Sequence, residues 1–227
     1  MADGVKNDTL AEGIALYKKA DYAAALAFFL SLPDDTGIDN SELAYFIGLC
    51  YTKLERYDDA LLYLEQVVTA GQDIDRVLQC RFILATVYSL TGRRKLADFE
   101  LQKLAEAAYK PAAVYSALAY NAWTQHEVDL SISYYKKALE IDPESPTALN
   151  GMGYVLASEN RDLAAALSYC KRALDRSPRS AACMDSVGWV YFKLGLYDEA
   201  RKYLHQARDL MPDNAEIQEH IRLVQVS

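Results

Sequence analysis

Four cysteines and three histidines carry the most reactive side chains in this chain, and their spacing gives them little to act through. Cys50, Cys80, Cys170 and Cys183 contain no CxxC pair and are too few for a disulfide framework. Buried thiols in helices are the expectation, with a pairing of Cys170 and Cys183 across neighbouring helices left open. His126 falls near a turn, His205 on an outer helix and His220 near the C-terminus. None stands at HExxH or Cys/His metal-ligand spacing, so surface or capping roles are expected. No GxGxxG or GxxxxGK[ST] stretch signals a phosphate cradle. The expectation is a non-enzyme with no catalytic residue, no cofactor and no metal.

The charged residues are equally plain. "YYKKALE" and "YCKRALD" set Lys136, Lys137, Lys171 and Arg172 at matching places, which reads as a solvated outer face. The sharper alternative is a row of cations for an acidic partner. A formal charge of -8 argues against a general nucleic-acid binder, which needs a concentrated basic face. With 52% apolar and 25% charged residues the composition is globular. The most apolar window, Tyr22 to Leu32, is too short to span a bilayer, so no membrane insertion is expected. "MADGVKNDTL" lacks a signal-peptide core, which points to the cytoplasm. An exported or lipid-anchored protein is the alternative if a native leader is missing.

What must position any functional residue is a repeat. "GLCYTKLERYDDALLYL" at residues 48–64 returns as "GWVYFKLGLYDEARKYL" at residues 188–204. Small residues fall at Gly13, Gly48, Ala85, Ala119, Gly153 and Gly188, with separations of 35, 37, 34, 34 and 35. A second small residue follows twelve or thirteen later, at Ala25, Ala60, Ala97, Ser131, Ala166 and Ala200. Pro143, Pro178 and Pro212 close three units, each twelve residues beyond that second mark. Two landmarks sharing one period define a helix pair whose members cross closely at small residues. Ser145 and Ser180 are expected to cap the helices after the first two prolines, and Asp213 or Asn214 the last helix. In that last helix Ile217, Ile221 and Val224 form one apolar stripe, with Glu216, Glu219 and Arg222 turned to water.

These landmarks resemble the tetratricopeptide repeat, a 34-residue helix–turn–helix unit with small residues at its eighth and twentieth positions. The likeness runs over about residues 6–212. It is strong in the second and last three units and weaker in the first and third, which lack the closing proline. The fifth unit carries an extra residue in its turn, "SENRD". The resemblance implies an all-α, right-handed superhelical solenoid. Its six repeats would occupy about 6–40, 41–77, 78–111, 112–145, 146–180 and 181–212. A tail over 1–5 and a capping helix over 213–227 complete the expected organisation.

The resemblance also implies where function resides, since the first helix of each unit lines a concave groove in this family. Carried over residue by residue, the groove takes Tyr45, Phe82, Asn150 and Asp185 from the fifth repeat position. The ninth position supplies Tyr120, Tyr154 and Trp189, and the twelfth supplies Trp123 and Phe192. The groove is thus expected to be aromatic in units four to six, with Asn150 and Asp185 as polar anchors and Leu118, Tyr191 and Leu194 filling the core. No three successive units supply the Lys/Asn clamp of chaperone-binding members. The implied function is a scaffold or adaptor that holds an extended or helical segment of a partner protein. The alternatives are a small-molecule or signal-peptide sensor and an exported assembly factor of bacterial envelope or secretion machinery. Homo-oligomerisation is left open.

Overall fold

The computed structural model describes residues 2–33 and 37–226, with side chains from Thr9 onward. Residues 34–36, the middle of the first linker, lie outside it. Among the described residues there are thirteen α-helices and no strand. They fall into two compact units, residues 1–109 and 110–227. The first holds α1 (Ala2–Lys18), α2 (Tyr22–Leu30), α3 (Asn40–Lys53), α4 (Tyr57–Ala70), α5 (Ile74–Leu90) and α6 (Arg94–Glu106). The second holds α7 (Pro111–Thr124), α8 (Val128–Ile141), α9 (Pro146–Ser158) and α10 (Leu163–Arg176). It ends with α11 (Ala181–Lys193), α12 (Tyr197–Leu210) and α13 (Ala215–Gln225). α1 begins at Ala2, inside the stretch read above as a tail.

The small residues pair the helices as expected. A Cβ added at Gly188 would lie 2.7 Å from Leu204 Cγ and 3.2 Å from the Ala200 carbonyl oxygen. Gly48 meets Leu64 in the same way, and Gly13 meets the Phe29 ring, each sixteen residues on. Gly153 meets Cys170, seventeen residues on, because of the extra residue in its turn. Every second-mark residue, Ala25, Ala60, Ala97, Ser131, Ala166 and Ala200, has no solvent exposure. A side chain larger than Ala or Ser at the second mark, or any side chain at the glycine first marks, would push against the partner helix.

The turns repeat with the same period. Seven residues after each first small mark the backbone enters the left-handed region, at Ala20, Glu55, Gly92, His126, Asn160 and Gly195. The next N–H then donates to a carbonyl five residues back: Asp21 to Leu16, Arg56 to Tyr51, Arg93 to Tyr88, Glu127 to Ala122, Arg161 to Leu156 and Leu196 to Tyr191. This closure satisfies carbonyls that the helix end would otherwise leave bare. His126 therefore sits at a turn in a backbone role. Helix starts are capped by side chains, with Ser145 accepting from Ala148, Ser180 from Cys183 and Asn214 from Ile217. Asn214, rather than Asp213, is the cap of α13.

Inside each pair the repeated tyrosines carry the core. Tyr51, Tyr88 and Tyr191 are buried, and the Tyr88 hydroxyl donates to Glu65 at 2.5 Å. The partner of the Tyr88 hydroxyl is thus a carboxylate of the preceding helix pair. Leu118 is buried as expected, but Leu194 is 37% exposed, because it caps α11 at the turn instead of entering the core.

All four cysteines are buried free thiols, Cys170 and Cys183 included. Burial pushes the Cys50 thiol up to about 11 and Cys80 to about 12, and raises Cys170 and Cys183 as well. Thiolate is the nucleophilic form, so these groups are inert in the fold. Ellman's reagent should find under one reactive thiol per native chain on the minute scale and all four in denaturant. Rapid native reaction of two or more would contradict this packing.

Candidate functional site

In the second unit the odd-numbered helices pack on one another across repeats, α7 on α9, α9 on α11 and α11 on α13. The even-numbered helices do not touch one another to a comparable extent. The odd helices therefore form the tighter, inner layer of this unit, and their residues three and four apart share its face.

Five of the expected aromatics lie on that face. Tyr120 is 56% exposed on α7, while Trp123, Tyr154, Trp189 and Phe192 are half-buried. Trp123 meets Tyr154 edge-on at 6.3 Å between ring centroids, and Trp189 stacks on Phe192 at 5.2 Å. The Trp189 indole N–H donates to Ser158 Oγ at 3.1 Å, and the Lys193 ammonium lies 4.8 Å above the Trp189 ring. Asn150 is half-buried, with its Oδ1 shut off from solvent and unpaired. Rings with one wet edge and few rotatable bonds are the surfaces on which protein segments dock at low entropic cost.

The last helix alters this picture. α13 lays Ile217, Ile221 and Val224 into the core formed with α11 and α12, as the sequence predicts for a cap. It also sends Glu216 and His220 onto the inner face. The Tyr154 hydroxyl donates to Glu216 Oε1 at 2.6 Å. His220 Nδ1 lies 2.9 and 3.0 Å from the two carboxylate oxygens of Asp185, and its ring stacks on Trp189 at 4.2 Å. Asp185 and His220 are each 5% exposed. Of the surface or capping roles expected for the histidines, His220 takes the capping one, buried in α13, and the expected polar anchor Asp185 is buried beneath it. Glu216, Glu219 and Arg222 face water as expected, with the Glu216 carboxylate also accepting from Tyr154 and Glu219 pairing with Arg222. The signal for the buried pair was present in the repeat itself. His220 stands 35 residues after Asp185, one period on, where neighbouring inner helices face each other.

The electrostatics follow from burial. Desolvation pushes the Asp185 carboxyl above its ordinary range, and the hydrogen bond and charge of His220 counter it. Burial first, then the Glu216 carboxylate, holds the Tyr154 hydroxyl protonated far into the alkaline range. With its proton on Nδ1, the imidazole donates to the carboxylate, so the buried Asp185 is hydrogen-bonded.

The first unit uses its expected groove residues differently. Tyr45 is buried, its hydroxyl donates to Gln79 Oε1 at 2.7 Å, and burial pushes it up to about 12. Arg76 pairs with Glu42 at 2.7 Å, with its guanidinium 5.8 Å from the Tyr45 ring. Phe82 is half-buried against the Tyr109 ring. Tyr45 thus ties α3 to α5 rather than offering a contact. On the outer side of the second unit, Arg172 and Arg176 both hold Glu144, and Lys137 lies over the rings of Tyr115 and Tyr134. Those cations are already engaged. Among the described residues, no three His, Cys, Asp or Glu side chains converge as a metal set. No helix there is long and apolar enough to cross a membrane.

Three family models, each for the tetratricopeptide repeat, match residues 41–70, 116–181 and 157–220. No curated protein matches the chain. Among solved structures, the chain is similar to one in the APC/C hetero-tetramer Cut9-Hcn1. The identity is 17% over 96% of this chain and 49% of that one, with a TM-score of 0.74. The chain thus spans about half of that protein's length. TTC0263, a thermophilic TPR protein of Thermus thermophilus, is 18% identical over 82% of this chain and all of its own, with a TM-score of 0.66. YrrB, a TPR protein with an unusual peptide-binding site, is 18% identical over 80% of this chain and 92% of its own, with a TM-score of 0.53. At such identities the likeness is one of fold.

Proposed function

The chain belongs to the tetratricopeptide repeat proteins, and from that premise we propose that it is a non-catalytic scaffold that holds a segment of a partner protein on its inner helix layer. The six helix pairs from α1–α2 to α11–α12 act as the repeats, and α13 as the cap. The observation that carries this reading is the aromatic face of the second unit. Tyr120, Trp123, Tyr154, Trp189 and Phe192 present partly exposed rings on one layer. A preformed face of this kind binds a helical or extended segment with little reorganisation. YrrB, with its peptide-binding site, offers an analogy at the level of fold.

The test compares immobilised wild type, Tyr120→Ala, and Lys136→Ala on outer helix α8, each challenged with lysate and read by quantitative mass spectrometry. Loss of an aromatic hot spot costs about 2–4 kcal/mol, or roughly 30-fold to 1,000-fold in affinity. A defined set of proteins held by wild type and Lys136→Ala, and depleted at least tenfold (by order of magnitude) on Tyr120→Ala, is the expected result. Equal capture by all three, or no enrichment by wild type, would overturn the reading.

A further inference from the structure

α13 carries two stripes, and a cap requires only one. Ile217, Ile221 and Val224 seal the flank of α11 and α12. Glu216 and His220, one helical turn apart, serve no such purpose. They cover the inner face instead, Glu216 reaching back past α11 to Tyr154 on α9, and His220 lying on Trp189 above Asp185. These are the contacts a partner helix would make on the proposed binding face. These polar contacts are exchangeable, because Asp185, Tyr154 and Glu216 find equivalent partners in water once α13 lifts. What holds the helix down is therefore the apolar stripe, and what a partner competes for is the polar pair. The connection to α12 is short, residues 211–214, so α13 stays near its seat at a high effective concentration.

We propose that α13 is a displaceable occupant of the inner face, held by a clasp of Tyr154 with Glu216 and Asp185 with His220 under Trp189. A partner helix that presents an acidic residue and, one turn later, an imidazole takes its place. The inference rests on the inner-face reading of function, and it makes that reading regulated: the chain competes with its own partner. The partner class follows from α13 itself, since the groups that receive Glu216 and His220 would receive the same pair from outside.

Two measurements test it, and neither needs a cellular partner. In wild type, amide hydrogen exchange of residues 215–225 should run at least tenfold (by order of magnitude) faster than that of α11, reporting local opening. Tyr154→Phe, which removes one half-buried hydroxyl, should accelerate α13 a further several-fold and leave α11 unchanged. In the second measurement, a labelled peptide of residues 212–227 is titrated against full-length Glu216→Ala/His220→Ala, whose own α13 is weakened. It should bind at least about tenfold tighter than to wild type, and a peptide carrying the same two substitutions should bind neither protein. Should the double variant fail to fold, the Tyr154→Phe exchange decides alone. Exchange of α13 together with α11 at one global rate in both wild type and Tyr154→Phe, or a peptide that binds neither protein, would make α13 a permanent cap and overturn the clasp. That outcome leaves the lysate test standing, whereas failure of the lysate test with faster α13 exchange leaves a mobile α13 but removes the partner that displaces it.

Discussion

Replacing His220 by leucine is expected to destabilise the chain by roughly 3–5 kcal/mol at neutral pH, because it strands the buried Asp185 carboxylate without its partner. The chain can relieve this by protonating Asp185 or by lifting α13 to hydrate it. Lifting gives up Ile217, Ile221 and Val224, at about 1.5–3 kcal/mol for each fully buried side chain, so the alternative is no cheaper. The pH dependence identifies the cause. Burial raises the folded-state affinity of Asp185 for a proton above its ordinary value of 3.8, and in the variant nothing from His220 opposes that. A carboxyl raised in this direction stabilises the fold when protonated. The variant's deficit relative to wild type should therefore shrink as pH falls toward 3.8 and be largest above the raised folded value. Denaturant midpoints of both proteins across this window measure it. Asp185→Leu combined with His220→Leu should recover most of the loss, since removing both partners leaves no group unsatisfied. A pH-independent deficit, or no deficit, would mean that the pair is not buried in solution.

Gly188→Leu is expected to cost roughly 1–3 kcal/mol by overpacking the α11–α12 crossing. The contact is unforgiving for a specific reason. One of the atoms in the way, the Ala200 carbonyl oxygen at 3.2 Å, is backbone, and the other, Leu204 Cγ at 2.7 Å, belongs to a side chain with no exposure. Neither has open space to retreat into. For a chain of this length each kcal/mol lowers the melting temperature by about 2–4 °C, so a fall of several degrees with helicity kept is the expected trace. Lys202→Ala, on the exposed side of α12, serves as the control and should melt within error of wild type. An unchanged midpoint in Gly188→Leu would mean that the repeat register is wrong.

The sequence alone determined the helix pairs, their period and where they cross. Those features are local: a small residue must stand where two helices touch, as Gly48 does on Leu64 and Gly188 on Leu204. The left-handed residues that end the first helices, among them Glu55, His126 and Gly195, are a finding of the backbone. The caps at Ser145 and Ser180 were legible for the same reason, because a cap bonds three residues ahead in its own chain, and that of α13 was narrowed to Asp213 or Asn214. The tertiary structure alone decided how deep each inner-face residue lies. Spacing puts Tyr45, Asp185 and Trp189 on the inner face of their helices, but depth depends on what the next inner helix sets opposite. Gln79 closes over Tyr45, and His220 closes over both Asp185 and Trp189. Leu194 went the other way, out of the expected core, because the turn that caps α11 carries it to the surface. Periodicity reports direction around one helix axis, whereas burial is a property of two surfaces brought together, and the second surface lies a whole repeat away.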